Sequence, residues 1–235
     1  MESQIDRDGR RDYIVKVIGI GCSGCNTINR IIESGVGGMD FIAINTDKEN
    51  LKESIAATKL HIGMDLNLTN GKGADGDPNI GVKAARESIE KIKESIACSD
   101  FVFLTAGMGG GTGTGATAII TKVIKEMSIP SIALITTPFT FEGKMKKNFA
   151  EYLTEFLQKY MDLLVIVSND GLLQVSKKDM GILELFSMVD KLFIQIIAQC
   201  ISDISIEGGK INIDFTEAKA IVKRSGIAYV GNQRY

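Results

Sequence analysis

Two glycine-rich segments stand where a polypeptide could hold an anion. The first, Gly19-Ile20-Gly21-Cys22-Ser23-Gly24, has GxGxxG spacing and follows a short apolar run. Glycines there let backbone N–H groups approach a phosphate, and a helix opening after the motif adds the positive end of its dipole. Alone, the pattern also fits a dinucleotide site, with Asp47 at a distance suited to a ribose, or a tight turn with no ligand. The second, Gly107-Met108-Gly109-Gly110-Gly111-Thr112-Gly113-Thr114-Gly115, places six glycines in nine residues. It offers a ribbon of unshielded N–H donors that can nest an anion of several charges, and Thr112 and Thr114 add hydroxyls. Each glycine costs chain entropy on ordering, and no packing role is expected to require so many. The sequence contains no GxxxxGK[ST] stretch, so it has neither a P-loop nor its lysine.

A CxxC match overlaps the first loop, Cys22-Ser23-Gly24-Cys25. Zinc would need further ligands, and the single histidine, His61, belongs to another predicted strand. A redox pair, or small residues accommodated in a phosphate loop, are the readings left. Cys98 and Cys200 are expected to be core thiols. Four cysteines without framework spacing fit a reducing cytoplasm.

The elements that must position these loops come from the apolar pattern. Short, continuously apolar runs at 14–20, 41–45, 58–62, 101–106, 132–136 and 163–167 alternate with amphipathic stretches. Runs of that kind suit parallel strands buried on both faces. Strand–helix alternation with right-handed crossovers predicts an α/β fold, a doubly wound, mainly parallel six-stranded sheet. Helices are expected at about 24–34 and, with apolar residues at helical spacing, about 80–97. After the sixth strand a long apolar helix, 181–205, should lie against the sheet. A shorter helix, 215–224, and a stub strand, 227–230, would finish the chain. The expected organisation is a flexible extension over 1–13, a nucleotide-binding domain over 14–180, the long helix over 181–205, and a loop, helix and incomplete second domain over 206–235.

With 27 basic and 29 acidic residues the formal net charge is −2. That balance, with no basic cluster, excludes a nucleic-acid binder working by phosphate attraction. No apolar stretch is long enough to span a bilayer, and residues 1–13 are too charged for a signal peptide. Direct membrane insertion is therefore not expected.

In a doubly wound sheet ligands bind at the carboxyl ends of the strands, where both glycine loops fall. Gly-Gly-Gly-Thr-Gly-Thr-Gly after the fourth strand is the signature of the tubulin/FtsZ family. The chain resembles the FtsZ branch of that family over nearly its whole length. Further matches, in the family's order, are Asn45–Asp47 (NTD), Ala74–Gly81 (ADGDPNIG), Pro138–Lys144 (PFTFEGK), Val167–Leu173 (VSNDGLL) and Asn212–Phe215 (NIDF).

The resemblance implies a GTPase that assembles head to tail into protofilaments for cell division. Gly21, Cys22 and the loop Gly107, Gly109, Gly110, Gly111, Thr112, Gly113 and Thr114 would cradle the phosphates, with Asn45 and Asp47 nearby. Ala74, Asp75 and Gly76 would flank the γ-phosphate. Pro138 and Glu142 would line the ribose, and Lys146 would stand where the family usually has arginine. Asn26, Asn169 and Asp190 would read guanine, and Phe186 would stack on its ring. An amide and a carboxylate suit the N1–H and N2–H₂ edge of guanine better than adenine. Mg²⁺ would be held mainly through nucleotide phosphates and water, with no metal site of the protein's own. Asn212, Asp214 and Glu217 would reach the γ-phosphate of the next subunit and complete the hydrolytic site, Glu217 standing where aspartate is usual. Besides self-association, division-machinery proteins are the implied partners.

Several residues depart from the family pattern. Cys22, Ser23 and Cys25 replace glycine or asparagine, Asp75 replaces a glycine, and Lys146 loses the bidentate fork of arginine. The chain also stops 21 residues after Asp214 (235 − 214), short of a second domain and partner-binding tail, as a fragment or a shortened relative would. Two other functions stay open at this point: a GTP-binding assembly or capping subunit that hydrolyses poorly, and an NAD(P)-binding oxidoreductase.

Overall fold

The computed structural model describes residues 13–64, 69–176, 180–205 and 226–230. Its strands are β1 (Val15–Ile20), β2 (Asp40–Asn45), β3 (Thr58–His61), β4 (Phe101–Gly107), β5 (Ser131–Thr137), β6 (Leu163–Ser168) and β7 (Gly226–Val230). All pair in parallel, in the order β3-β2-β1-β4-β5-β6-β7. The expected stub strand thus joins β6 as a seventh, mostly exposed edge strand. Order reverses between β1 and β4, where Gly19 pairs with Thr105 and Ile20 with Ala106. That switch point is where a doubly wound sheet opens a crevice.

Side chains alternate across the strands and feed two cores. In β1, Ile18 and Ile20 face one layer while Val15 and Val17 face the other. In β4, Val102, Leu104 and Ala106 alternate with Phe101 and Phe103 in the same way. The first layer holds α3 (Pro78–Glu87), α4 (Ile89–Ile96), α5 (Gly111–Glu126) and α6 (Lys144–Leu157). The second holds α1 (Gly21–Glu33), α2 (Lys48–Glu53) and the long helix α8 (Ile182–Ser205), with α7 (Asn169–Val175) leading into it. Leu185, Val189, Phe193 and Ile197 recur every fourth residue of α8 and are buried against the sheet.

Three expectations are corrected. The single helix expected over 80–97 is two, because Ser88 (φ −96°, ψ 18°) leaves the helical region. The apolar stripe Ala85, Ile92, Ile96 stays buried across the break, so the periodicity could not reveal it. Helix α1 opens at Gly21, not near 24, which puts the second half of GxGxxG inside its first turn. Cys98 is not a core thiol. It is exposed, in a left-handed turn (φ 62°) after α4. Cys25 is the buried one, and Cys200 is partly buried against the second core.

Candidate nucleotide site

A cavity of about 460 Å³ opens at the carboxyl ends of β1 and β4, within the size range of small-molecule sites. A second hollow of about 260 Å³ adjoins it, sharing Ser23, Thr136 and Phe186 as wall.

One end is built of backbone. Helices α1 and α5 point their N-termini at the cavity, neither has an acid in its first turn, and neither has a side-chain cap. Their free N–H groups and dipoles make the shared floor favourable for an anion. A Cβ on Gly21 (φ +71°) would stand 3.0 Å from the amide nitrogen of Gly113, so the two loops touch there. Gly19 and Gly24 serve a different purpose. A Cβ on Gly19 would lie 2.4 Å from the Gly24 carbonyl oxygen, and one on Gly24 would lie 2.5 Å from that of Thr105. They let α1 lie close on the sheet.

The second loop corrects the expectation that packing would not need its glycines. A Cβ on Gly113 would come within 2.4 Å of the Gly107 carbonyl oxygen, and one on Gly115 within 2.0 Å of that of Pro78. Gly111 is similarly pressed by Ala74, at 2.8 Å. Only above Gly110 is there open space. The loop is therefore glycine-rich both to expose N–H donors and to let α5 meet α3 and the 74–77 turn. Its hydroxyls are also engaged within the protein. Thr112 shares a 2.6 Å hydrogen bond with Thr46, and Thr114 accepts from Gly109 N–H at 2.9 Å.

The cavity wall brings together Gly21, Cys22, Asn45, Asp47, Ala74, Asp75, Gly76, Gly107, Gly110, Gly111, Thr112, Gly113, Pro138, Glu142, Lys146, Asn169 and Phe186. Gly109 and Thr114 lie behind that wall, one bonded to the other. Asn26 and Asp190 line the adjoining hollow. Asn212, Asp214 and Glu217 lie outside the described residues.

Several side chains in the wall are fixed by partners. Asn45, buried, donates to Asn50 Oδ1 at 2.7 Å and to Cys22 Sγ at 3.6 Å. Asp47 caps α2 by accepting from Asn50 N–H at 2.9 Å. Glu142 accepts from Phe139 N–H and from Lys146, each at 3.0 Å. Cys25 lies under the first loop, and burial, reinforced by Cys22, pushes its thiol up to about 12.

The other end is built of side chains. Asp190, 4 % exposed, accepts from Thr27 Oγ1 at 2.9 Å and from the Arg30 guanidinium, one partner for each oxygen. Phe186 meets Phe139 edge-on at 6.1 Å, and Phe139 stacks on Phe141 at 4.8 Å. Asn169, 5 % exposed, has an Oδ1 with no hydrogen-bond partner among the described residues. A buried amide oxygen without a donor is costly, and Asn169 is one of the residues that line the cavity.

Residues 14–177 match the model of the tubulin/FtsZ family, GTPase domain. The chain belongs to the tubulin/FtsZ family. It is 37 % identical to FtsZ of M. jannaschii in two structures. An empty FtsZ dimer superposes with TM-score 0.83, over 92 % of this chain and 62 % of that one. A W319Y mutant of the same FtsZ gives 0.84, over 93 % and 64 %. CetZ2 of Haloferax volcanii, in a GTPγS-bound protofilament, is 20 % identical and shares the fold, with TM-score 0.71 over 83 % and 60 %. The chain thus spans less than two thirds of the length of these structures.

Sequence reasoning missed Lys72, Thr136, Thr27 and Arg30. Arg30 stands one turn beyond Asn26 on α1, a spacing that could have flagged it. Lys72 is the single cation between the glycines of the 71–76 turn. Among the described residues no group of three potential metal ligands occurs, and no helix is long and apolar enough to cross a membrane.

Proposed function

We propose that this chain binds GTP and GDP and hydrolyses GTP in a site completed by a second copy stacked head to tail. The observation that carries the reading is Asn169, which has an unpartnered Oδ1 and lines the same cavity as two uncapped helix N-termini. A guanine nucleotide supplies what both ends lack: N–H or hydroxyl donors at one, several negative charges at the other. Asn169, Asn26 and Asp190 would hold the base with Phe186 against its ring. Gly21, Gly110, Gly111 and Gly113 would cradle the phosphates, and Pro138, Glu142 and Lys146 would border the sugar. Mg²⁺, carried by the phosphates, would neutralise charge there. A dinucleotide reading would use Asp47 on a ribose, but Asp47 caps α2 through Oδ1 and that reading leaves the second glycine loop unexplained.

Hydrolysis needs a group that orients water at the terminal phosphate. Asn212, Asp214 and Glu217 are the candidates, and they follow α8. That helix begins beside the cavity, where Phe186 and Asp190 stand, and its 24 residues carry the chain away from it. At 1.5 Å per residue the displacement is about 36 Å. A subunit's own carboxylates would then be out of reach, while a stacked neighbour's would not. Protofilament assembly in the cytoplasm for cell division is the role that fits this arrangement. A second reading, a GTP-binding capping subunit with little turnover, is favoured by Asp75, whose carboxylate adds negative charge at the phosphate end.

GTPase activity measured across protein concentration tests the proposal. Specific activity should rise with concentration. Asp214→Ala should abolish turnover while GTP binding is retained, and mixing it with a variant defective only in nucleotide binding should restore some activity. Turnover per subunit that stays constant down to dilutions at which the protein is monomeric contradicts the shared site. Tight GTP binding without turnover at any concentration supports the capping reading.

A further inference from the structure

The charges around the cavity do not balance in favour of a polyphosphate. Asp47, Asp75 and Glu142 line it, against Lys72 and Lys146. Lys146 is bound to Glu142 at 3.0 Å. Lys72 is exposed, and its ammonium has no hydrogen bond or ion pair among the described residues. It is therefore the one lining cation of the described residues that is not already committed.

Its backbone, by contrast, is held firmly. Lys72 forms an antiparallel bridge with Asp47, enclosed by hydrogen bonds from Lys48 N–H to Gly71 O at 2.9 Å and from Gly73 N–H to Thr46 O at 3.3 Å. Its own N–H donates to Thr69 O at 2.9 Å. Residues opposed in such a pair project to the same face with closely spaced Cβ atoms. Lys72 therefore rises beside Asp47 on the cavity side. Three residues on, Asp75 occupies the left-handed region (φ +44°) and is exposed at the same rim.

We infer that Lys72 is a specificity-determining residue of this cavity, its ammonium contacting the outer phosphates of a bound nucleotide and offsetting Asp75. The inference rests on the nucleotide-site reading and deepens it. A lysine is a mobile point charge that pairs with phosphate without a fixed fork. Asp47 and Asp75 both bring negative charge to this rim, and among the described residues neither is paired with a cation, so Lys72 is the ammonium placed to offset them beside a bound anion. The protein would thereby recover at Lys72 the affinity for β- and γ-phosphates that Asp75 removes. Guanosine, which lacks phosphate, should be indifferent to it.

Binding of guanosine, GMP, GDP and GTP by the full chain, measured calorimetrically at two salt concentrations, tests this on the unmodified protein, Lys72→Met and Lys72→Arg. Lys72→Met is expected to weaken GDP and GTP by about tenfold or more, with guanosine unchanged and a shallower salt dependence. Lys72→Arg should stay within about threefold of the unmodified chain, because the charge is kept. Thermal melting of each variant reports folding separately. GTP affinity unaffected by Lys72→Met, or an equal loss for guanosine and GTP, overturns the inference and leaves the guanine site standing. An unmodified chain that binds none of the four ligands overturns both.

Discussion

The two ends of the cavity are made in different ways. At the end proposed for phosphate the groups on offer are N–H groups of Gly21 and of the 110–113 segment, presented by two helices that start on adjacent strands. At the end proposed for the base they are side chains, Asn26, Asn169, Phe186 and Asp190, drawn from α1, α7 and α8. The backbone end is inseparable from the fold, since the glycines that expose the amides also let α5 close on α3. The side chains of the other end are not pressed between helices in that way, so the expectation is that they can be changed at a cost in ligand recognition while the sheet stays intact.

Substituting glycines in the backbone end tests that claim most severely. Gly115→Ala should destabilise the protein by about 3 kcal/mol or more, since the new methyl meets the Pro78 carbonyl rather than a side chain that can move. Gly110→Ala, with open space above it, should leave the unfolding free energy within about 0.5 kcal/mol of the unmodified protein. Its methyl should nonetheless obstruct the anion and weaken GDP. Equal destabilisation by the two would show that the loop's glycines have a single role.

At the side-chain end, Asp190→Ala should lower the preference for GDP over ADP by about 1–3 kcal/mol, the range for a desolvated charged hydrogen bond. Melting should show a fold that survives, because Arg30, freed of its partner, is half-exposed and can be solvated. Complete unfolding of this variant would mean that the base end is as integral as the phosphate end.

A subtler probe lies beneath the first loop. The Cys25 thiol is raised from 9.0 to about 12 by burial and by Cys22. A group raised in the folded state contributes stability that is fully present below pH 9 and is lost as pH rises towards 12. Stability should therefore fall over that window by at most about 1.4 kcal/mol per pH unit more than in Cys25→Ala. Parallel pH profiles for the two proteins would contradict a protonated, buried thiol under the loop.

The smallest effect expected is at Asp75. Asp75→Gly relieves a left-handed aspartate but loosens the unfolded chain, so the net stability change should be under about 1 kcal/mol. GTP should tighten by about threefold more than GDP, the scale of a screened repulsion at an exposed site. If both nucleotides shift together, the 74–76 turn does not face the γ-phosphate.

The same contrast explains what the sequence could disclose. Backbone features leave a mark in composition, so both glycine loops, the strands feeding them and their place at the carboxyl ends of those strands could be read from residues alone, while the switch point between β1 and β4 needed the strand order. Side-chain contacts leave none. Nothing in the local pattern links Asn169 or Asp190 to Asn26, and only the resemblance to the tubulin/FtsZ family joined them. Ser88 broke a helix without disturbing its apolar stripe, and Lys72 lay in a turn whose bridge to Asp47 depends on tertiary placement. The glycines of 107–115 were read for one function and have two, because the approach of Pro78 to Gly115 involves a helix more than thirty residues earlier in the chain.

The central claim is that this cavity recognises a guanine nucleotide by both ends at once. Calorimetric titration of the full chain with GDP and with ADP, repeated on Asn169→Ala, tests it most directly. The account predicts one saturable GDP site per chain and ADP weaker by about tenfold or more. Asn169→Ala should narrow that gap, since the amide oxygen awaiting a donor is gone. Equal affinity for GDP and ADP, or a gap unchanged by Asn169→Ala, would contradict it.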